Sequence, residues 1–206
     1  MTLYKNKYRI ESTRLPTYDY SSNGHYFVTI CTHQKHCYFG KIVNAKMQLS
    51  QVGKIAQKHW QDIPNHFNGV YIDKYVIMPN HVHGIIVINQ SHKSHKPGKS
   101  DQPGRDVACY VSTNDTNNAN NTDKTDNDDL YQKMSRLSPK SGSLGVIIRS
   151  YKSSVTRWCR QNDDNIFCWQ PRFYENIIRD EKSLNNIRRY IINNPKKWLE
   201  DQNYVD

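Results

Sequence analysis

The sequence predicts an α+β fold: a ferredoxin-like antiparallel sheet with helices on one face and an additional C-terminal helix. Short runs rich in β-branched and aromatic residues predict strands, and segments with apolar residues at helical spacing predict helices. Along the chain these elements follow the order strand, helix, strand, strand, helix, strand, helix. That order is typical of the ferredoxin-like pattern with one helix added at its end.

The four strands are predicted from residue type and from turn signals. Tyr26–Thr32 has the β-branched and aromatic content of a buried strand. Val70–Met78 and His81–Ile88 are separated by the short turn Pro79-Asn80, so they are expected to form an antiparallel hairpin. Trp169–Ile178 alternates well enough to be the fourth strand.

The helices are predicted from their caps and apolar stripes. Ser50 is expected to cap a helix that runs to about residue 62 and is stopped by Pro64. Leu144–Gln161 has apolar residues at helical spacing. Asp180 is a good N-cap for a final helix, and Pro195 should end it because the residue before proline resists helical geometry.

The predicted elements belong to one domain, formed by residues 1–90 and 144–206. Between them, residues 91–143 have no periodicity and few aliphatic side chains, and they include an Asn- and Asp-rich stretch. Such a composition predicts a low-complexity, disordered insertion, because it cannot bury enough apolar area to order itself. The alternative is a specificity loop that orders on binding a ligand.

The charge of the chain indicates a polyanionic partner. The formal net charge is +10 and the isoelectric point is near 9.3. Residues 91–144 contain eight basic and seven acidic side chains, so nearly all of the excess lies on the predicted folded part. This distribution favours a surface that meets nucleic acid. The alternative is a basic, soluble protein without a specific acidic partner.

Several functional classes fit the sequence poorly. No apolar run is long enough to span a bilayer and no signal-peptide pattern begins the chain, so neither a membrane partner nor secretion is expected. The five cysteines include no CxxC pair, which argues against a disulfide framework or a thiolate zinc site. A reducing cytoplasm is the expected location.

Two histidines at the start of the third strand predict half of a metal site. His81 and His83 are two residues apart, so on a strand their imidazoles emerge on the same face. The rest of that strand is apolar, and two polar heads there require a polar pocket. A metal site formed by two imidazoles and a carboxamide oxygen suits Mg²⁺ or Mn²⁺. The alternative is an ordinary surface or core pair.

A tyrosine and an asparagine on the final helix could complete this site. Tyr190 and Asn194 are four residues apart and therefore share one helical face, so the Asn194 oxygen could be a third ligand. Tyr190 could instead be a core aromatic. Among other tyrosines, Tyr151 falls within an apolar stripe, whereas Tyr174 on the fourth strand is a second candidate.

Basic and aromatic side chains on the later elements are candidates for DNA contact, because arginine and lysine meet phosphates and aromatic rings stack on bases. The alternative for each is plain packing or solvation. The predicted DNA-binding residues are Arg149, Lys152, Arg160, Trp169, Arg172 and Arg189.

Motifs spread over nearly the whole chain outside the insertion resemble one known family. The sequence is similar to the REP-associated tyrosine transposases, a single-tyrosine branch of the HUH endonucleases. Several motifs matching in order are more specific than any one alone. The segments that match are Arg14–Tyr20, Tyr26–Thr32, Tyr75–Gly84, Arg149–Ser153, Trp169–Glu175, Ile178–Glu181 and Ile187–Pro195.

The resemblance implies a role for each candidate site residue. It implies that His81 and His83 bind the metal, that Asn194 is an additional ligand and that Tyr190 is the nucleophile. By this likeness the phenol attacks single-stranded or hairpin DNA from palindromic repeats, forms a 5′-phosphotyrosine link and releases a 3′-hydroxyl. The enzyme would act as a monomer or a homodimer, and the likeness implies a bacterial-type cytoplasm in association with the nucleoid. The long insertion departs from the family pattern.

Two other functions are open to such a sequence. One is a non-catalytic ferredoxin-like module that binds nucleic acid through aromatic and basic side chains. The other is a small-molecule metalloenzyme such as a hydrolase. The hydrolase fits poorly because no acidic residue accompanies the histidine pair in the usual local zinc motifs.

Overall fold

The fold is built around a four-stranded antiparallel sheet with helices on both of its faces. The computed structural model describes residues 3–4, 7–8, 15, 17–90, 140–162 and 166–205. Most of the predicted insertion lies outside these residues, and only its last part, residues 140–143, is described, as a turn before a helix.

The strands and helices have the following bounds. The strands are β1 Leu3–Tyr4, β2 Lys7–Tyr8, β3 Gly24–Cys31, β4 Gly40–Val43, β5 Lys46–Leu49, β6 Val70–Ile77, β7 His81–Ile88 and β8 Tyr174–Ile178. The helices are α1 Gln51–Gln61, α2 Ile63–His66, α3 Leu144–Gln161 and α4 Glu181–Asn193, with short 3₁₀ helices at His33–Lys35 and Asn194–Glu200.

The main sheet confirms the predicted fold class. Its strand order is β6-β7-β3-β8 and all neighbouring pairs are antiparallel. Taken in chain order, the four strands occupy the ferredoxin-like arrangement, with the first and third strands at the centre. The hairpin predicted around Pro79-Asn80 is the β6–β7 pair.

The helix predictions are mostly confirmed. Helix α3 has the predicted bounds, and α1 begins after Ser50, whose side chain accepts a hydrogen bond from the Gly53 amide. Asp180 caps α4 by accepting from the amide of Ser183. Pro64 does not stop helical structure but stands in the first turn of α2, where a missing amide hydrogen costs nothing.

Two further parts of the sheet prediction differ from the structure. Strand β8 starts at Tyr174, five residues later than predicted, and Trp169 makes only an isolated bridge to Thr32. The β4–β5 hairpin was not predicted. Its strands have only four residues each, too short for alternation to be recognised.

The face of the sheet toward α1 and α3 contains the larger core. Alternate residues of β3 and β7 pack there against the two helices. Trp60 of α1 is fully buried and its ring lies against Gly84 of β7. A Cβ atom at position 84 would lie 2.2 Å from Cζ2 of Trp60, so only glycine fits beneath this ring.

The opposite face of the sheet is covered by α4. Ile85 of β7 and Ile178 of β8 pack against Leu184 and Ile191 of this helix. Arg188 of α4 also reaches β6, where its Nη2 lies 2.7 Å from Oδ2 of Asp73. Apolar contacts and this ion pair therefore hold α4 at one position on the sheet.

No helix in the described ranges is both long enough and apolar enough to cross a membrane.

We predict that Gly84→Ala destabilises the fold by about 1–3 kcal/mol, because the added methyl group must displace a buried tryptophan ring. Chemical denaturation monitored by circular dichroism measures the loss. Gly24→Ala on β3 is the matched control, since its Cβ would meet Tyr26 at an ordinary 3.6 Å. Equal stability of the two variants would contradict this packing.

Candidate active site

Strand β7 places two histidines side by side beneath the C-terminal helix. His81 and His83 share the sheet face with Ile85, the face that α4 covers. His81 is 0% exposed and His83 is 2% exposed, and the centroids of their rings are 4.4 Å apart. The strand therefore brings the two imidazoles together, as its alternation predicts.

The hydrogen bonds of Asn80 determine which nitrogen of His81 is free. Nδ2 of Asn80 donates to the carbonyl oxygens of Lys35 at 3.0 Å and Asn203 at 2.7 Å. Oδ1 of Asn80 therefore faces Nδ1 of His81, at 2.8 Å. An amide oxygen only accepts, so Nδ1 carries the hydrogen and Nε2 holds a lone pair. This Nε2 is buried without a hydrogen-bond partner among the described residues.

His83 is held between β3 and α4. Its Nδ1 lies 2.8 Å from Oγ1 of Thr29, and its Nε2 lies 3.1 Å from the hydroxyl oxygen of Tyr190. The ring stacks on Phe27, with centroids 5.4 Å apart. Tyr190 is therefore in direct contact with one of the two predicted metal-binding imidazoles.

The helical spacing of Tyr190 and Asn194 brings both side chains to the histidines. Asn194 follows the last residue of α4 and still has helical backbone angles. Asn194 is 2% exposed, whereas Tyr190 is 46% exposed. Nδ2 of Asn194 donates to Oδ2 of Asp201 at 2.9 Å, while its Oδ1 is buried without a partner in the described part of the chain.

Asp201 is a site residue that the sequence analysis missed. Its Oδ2 accepts from the Tyr190 hydroxyl at 3.3 Å and lies 3.9 Å from Nε2 of His83. Its Oδ1 accepts from the amide of Asn203 at 2.7 Å, and its side chain is 2% exposed. Asp201 follows an irregular 3₁₀ helix. No periodic pattern points to it, and the available signal is the acidic pair Glu200-Asp201 shortly after the predicted Tyr190–Asn194 pair.

These side chains fit a divalent cation. His81, His83 and Asp201 each offer a ligand atom, and the three atoms lie within 4.8 Å of one another. In this cluster, Nε2 of His81 and Oδ1 of Asn194 are buried acceptors that find no partner among the described residues, and burial of their lone pairs is costly unless they are satisfied. A mixed set of imidazole nitrogens and oxygens suits Mn²⁺ or Mg²⁺, as the sequence predicts, and adds a carboxylate to that prediction.

The ionisation of the cluster favours cation binding. Burial, and next the neighbouring His83, holds the pKa of His81 well below its ordinary value, and burial also lowers the pKa of His83. Both imidazoles are therefore neutral at neutral pH and keep a lone pair. Burial would raise the pKa of Asp201, but the nearby His83 and the hydrogen bonds from Asn194 and from the Asn203 amide outweigh it and leave the pKa lowered.

The phenol of Tyr190 is not activated by its protein surroundings alone. Partial burial, and next the charge of Asp201, raises its pKa to about 12. At neutral pH the hydroxyl therefore keeps its proton. Nucleophilic attack would need a nearby positive charge that stabilises the phenolate.

The six predicted DNA-binding residues do not gather in this site. Arg189 is next to Tyr190 on the exposed side of α4 and donates to Oδ1 of Asn186 at 2.7 Å. Arg149, Arg160 and Arg172 are also exposed. Their contact with DNA stays a prediction.

Lys152 and Trp169 have structural partners instead of open surfaces. Nζ of Lys152 donates to the carbonyl oxygens of Gln170 at 2.6 Å and Arg172 at 3.0 Å. Trp169 is 8% exposed, and its indole Nε1 donates to the carbonyl oxygen of Lys152 at 3.1 Å. Its ring packs against aromatic core residues, among them Phe39 and Tyr151.

Comparison with solved structures finds a loose likeness. A REP-associated tyrosine transposase, solved bound to a REP hairpin, aligns with a TM-score of 0.48 and 16% sequence identity. The alignment covers 96% of this chain and 74% of that chain. At this score the likeness assigns no activity to the present protein.

Comparison of sequences finds a much closer relative. No family model matches the chain. A protein of Haemophilus influenzae, described as uncharacterized, is 41% identical over 197 residues, which are 95% of this chain and 93% of that protein. Identity at this level over nearly the full length of both chains places them together, and the chain belongs to the same protein family as this Haemophilus influenzae protein.

Proposed function

We propose that the protein is a metal-dependent, single-stranded DNA endonuclease and strand transferase that cuts hairpin or palindromic repeat DNA through Tyr190. The observation that carries this proposal is the 3.1 Å contact between the Tyr190 hydroxyl and Nε2 of His83, beside a cluster of three candidate ligands. A tyrosine at the edge of a metal cluster combines a nucleophile with a charge that can activate it.

The cation would be held by the two imidazoles together with oxygens of Asp201 and Asn194. When bound, a divalent cation would supply the positive charge that stabilises both the phenolate and the oxygens of the scissile phosphate. Asp201 has a lowered pKa and is therefore a weak base. Its hydrogen bond to the Tyr190 hydroxyl serves to orient the nucleophile.

The proposed transfer conserves the energy of the phosphodiester. The Tyr190 oxygen bonds to phosphorus while the bond from phosphorus to the 3′-oxygen breaks. The phenol releases its proton to solvent, and the departing 3′-oxygen takes one up as a hydroxyl. The DNA remains attached as a 5′-phosphotyrosine, and a 3′-hydroxyl can reverse the reaction without an external energy source.

The exposed surroundings of the site suit a nucleic-acid substrate. The chain has a net charge of +10, and Arg189 is exposed next to the proposed nucleophile. We propose that Arg149, Arg160 and Arg172 also contact phosphates and that Lys152 and Trp169 act by holding the fold around them. Such a substrate implies a cytoplasmic, nucleoid-associated protein.

One copy of the chain contains all the proposed catalytic groups. His83 on β7 and Tyr190 on α4 meet within the same protomer, so either a monomer or a homodimer could be active. We propose that 1–90 and 144–206 form a single catalytic domain with 91–143 as an insertion. Packing of α3, which follows the insertion, against α1, which precedes it, supports that division.

We predict that Tyr190→Phe abolishes the covalent protein–DNA adduct while binding of DNA and the fold survive, because only the hydroxyl is removed. The measurement is denaturing electrophoresis of the protein with a labelled single-stranded hairpin and Mn²⁺. Tyr71→Phe, a half-exposed tyrosine on β6, is the matched control and should form adduct normally. Adduct from the Tyr190→Phe protein would refute the assignment. Chelator-insensitive DNA binding without any adduct from the unaltered protein would favour the non-catalytic module.

We predict that Mn²⁺ stabilises the protein through the His81, His83 and Asp201 cluster. At a hundredfold excess over its dissociation constant, binding to the native state is worth about 2.7 kcal/mol, or roughly 5–10 °C in the thermal midpoint. His81→Ala and Asp201→Ala should lose this shift, because each removes a ligand. His66→Ala, an exposed histidine outside the cluster, should retain it. A full shift in both cluster variants would contradict the proposed site.

A further inference from the structure

An exposed tyrosine stands on the edge strand beside the candidate site. Tyr174, the first residue of β8, is 55% exposed. Strand β8 is the last strand of the main sheet and pairs there with β3 alone. The ring therefore stands at an open margin of the sheet and not in a core.

The register of the sheet puts Tyr174 on the same face as the metal cluster. Tyr174 pairs with Thr29 of β3, and Thr29 pairs with His83 of β7 on its other side. Directly opposed residues of antiparallel strands project to the same face. Thr29 itself contacts His83, with Oγ1 to Nδ1 at 2.8 Å, so Tyr174 is two strands, or about 10 Å, from that histidine.

The surface between Tyr174 and the nucleophile is also aromatic. Phe27, the next residue of β3 on this face, has its ring centroid 5.4 Å from that of His83 and 6.1 Å from that of Tyr190. Asn176 of β8, which pairs with Phe27, is exposed on the same face. This part of the surface therefore presents the rings of Phe27 and Tyr174 and the amide of Asn176. Strand β8 places no acidic side chain on this face between residues 174 and 178.

The segment that leads into Tyr174 is fixed by a lysine. Nζ of Lys152 on α3 donates to the carbonyl oxygens of Gln170 and Arg172. Arg172 has φ of 65°, in the left-handed region that is costly for residues other than glycine. Such a turn persists only when neighbouring groups hold it, as Lys152 does here. The start of β8 is therefore already ordered, and less conformational entropy is lost when a ligand binds to it.

A cavity continues this surface along β8. Beyond Tyr174 and Asn176 the strand borders a space of about 480 Å³ between the N-terminal half of α4 and the segment before β3. Its lining offers the hydrogen-bonding side chains of Asn176, Arg179 and Ser183 and apolar contact from Ile178 and Ile187. The carboxylates of Glu175 and Asp180 also line it, and they can accept hydrogen bonds from the amino groups of a base. A nucleic-acid base is a planar ring with polar edges, so it needs both hydrogen bonds and apolar contact. The space therefore suits an unpaired base better than a duplex.

We propose that Tyr174 is the stacking platform for an unpaired base next to the phosphate that Tyr190 attacks, with the DNA strand continuing toward the cavity beside β8. This inference rests on the proposed function for its position relative to the cut. Stacking of a base on an aromatic side chain is largely independent of sequence. Tyr174 would thus hold the strand in line with the nucleophile rather than read its sequence.

The test measures binding in a background that cannot react. In Tyr190→Phe protein with Mn²⁺, fluorescence anisotropy gives the affinity for a single-stranded oligonucleotide and for versions with one abasic site at successive positions. Tyr174→Ala should weaken binding of the intact strand about tenfold to a hundredfold. Tyr174→Phe keeps the ring and should bind normally. Tyr71→Ala, on the opposite edge strand, should also bind normally.

The decisive result is the coupling between protein and DNA. One abasic position should weaken binding by the parent protein as much as Tyr174→Ala does, with no further loss when the two are combined. Unchanged affinity of Tyr174→Ala, or losses that multiply at every position, would overturn the inference.

The reaction itself separates this inference from the proposed function. With Tyr190 intact, the coupled position should adjoin the nucleotide found in the adduct. Adduct formation without coupling at Tyr174 would reject the platform and leave the nuclease. Coupling without any adduct would reject the nuclease and leave Tyr174 as a site for an unpaired base. Coupling at a position distant from the cut would overturn the proposed placement of the strand.

Discussion

The structure depends on one central strand that serves both faces of the sheet. In β7, side chains alternate between a large apolar core on one side and the α4 side on the other. Gly84 lets Trp60 lie against the first face, while His81 and His83 project from the second. A register shift of one residue would place the imidazoles against the tryptophan and remove them from α4. Core packing therefore fixes the position of the candidate metal cluster.

The polar cluster beneath α4 is organised by hydrogen bonds within the chain. Asn80 and Thr29 each fix one imidazole through Nδ1, and Asn203 fixes Asp201. Because burial keeps both histidines neutral, their lone pairs do not have to be freed from protons first. A free-energy cost remains, because Nε2 of His81 and Oδ1 of Asn194 are buried without a partner in the part of the chain that the structure describes. That cost is consistent with a site shaped for a ligand rather than for stability.

Much of the fold and part of the site could be predicted from the sequence. The bounds of α3 and β7 match the prediction because long periodic segments and a proline-marked turn are strong local signals. The pairing of Tyr190 with Asn194 followed from helical spacing. Asp201 could not be found in this way, because its position depends on the path of a 3₁₀ helix and not on a repeat.

Lys152 and Trp169 show the complementary difficulty. Lysine and tryptophan are residue types that are expected at a DNA surface. Here Lys152 holds a turn by donating to two carbonyl oxygens, and Trp169 lies in an aromatic core. Residue type alone does not distinguish these roles, because both are decided by long-range packing. The exposure of Tyr174 likewise depends on where the sheet ends, which only the strand order shows.

The two donor bonds of Asn80 have a consequence for the last described residues. One of them reaches the carbonyl oxygen of Asn203, and the amide of Asn203 in turn holds Asp201. A stop codon introduced ahead of position 201 would thus remove a carboxylate from the cluster and loosen the amide that orients His81. Shortened forms of this protein are consequently poor substitutes for it in metal-binding work, even where their secondary structure is intact.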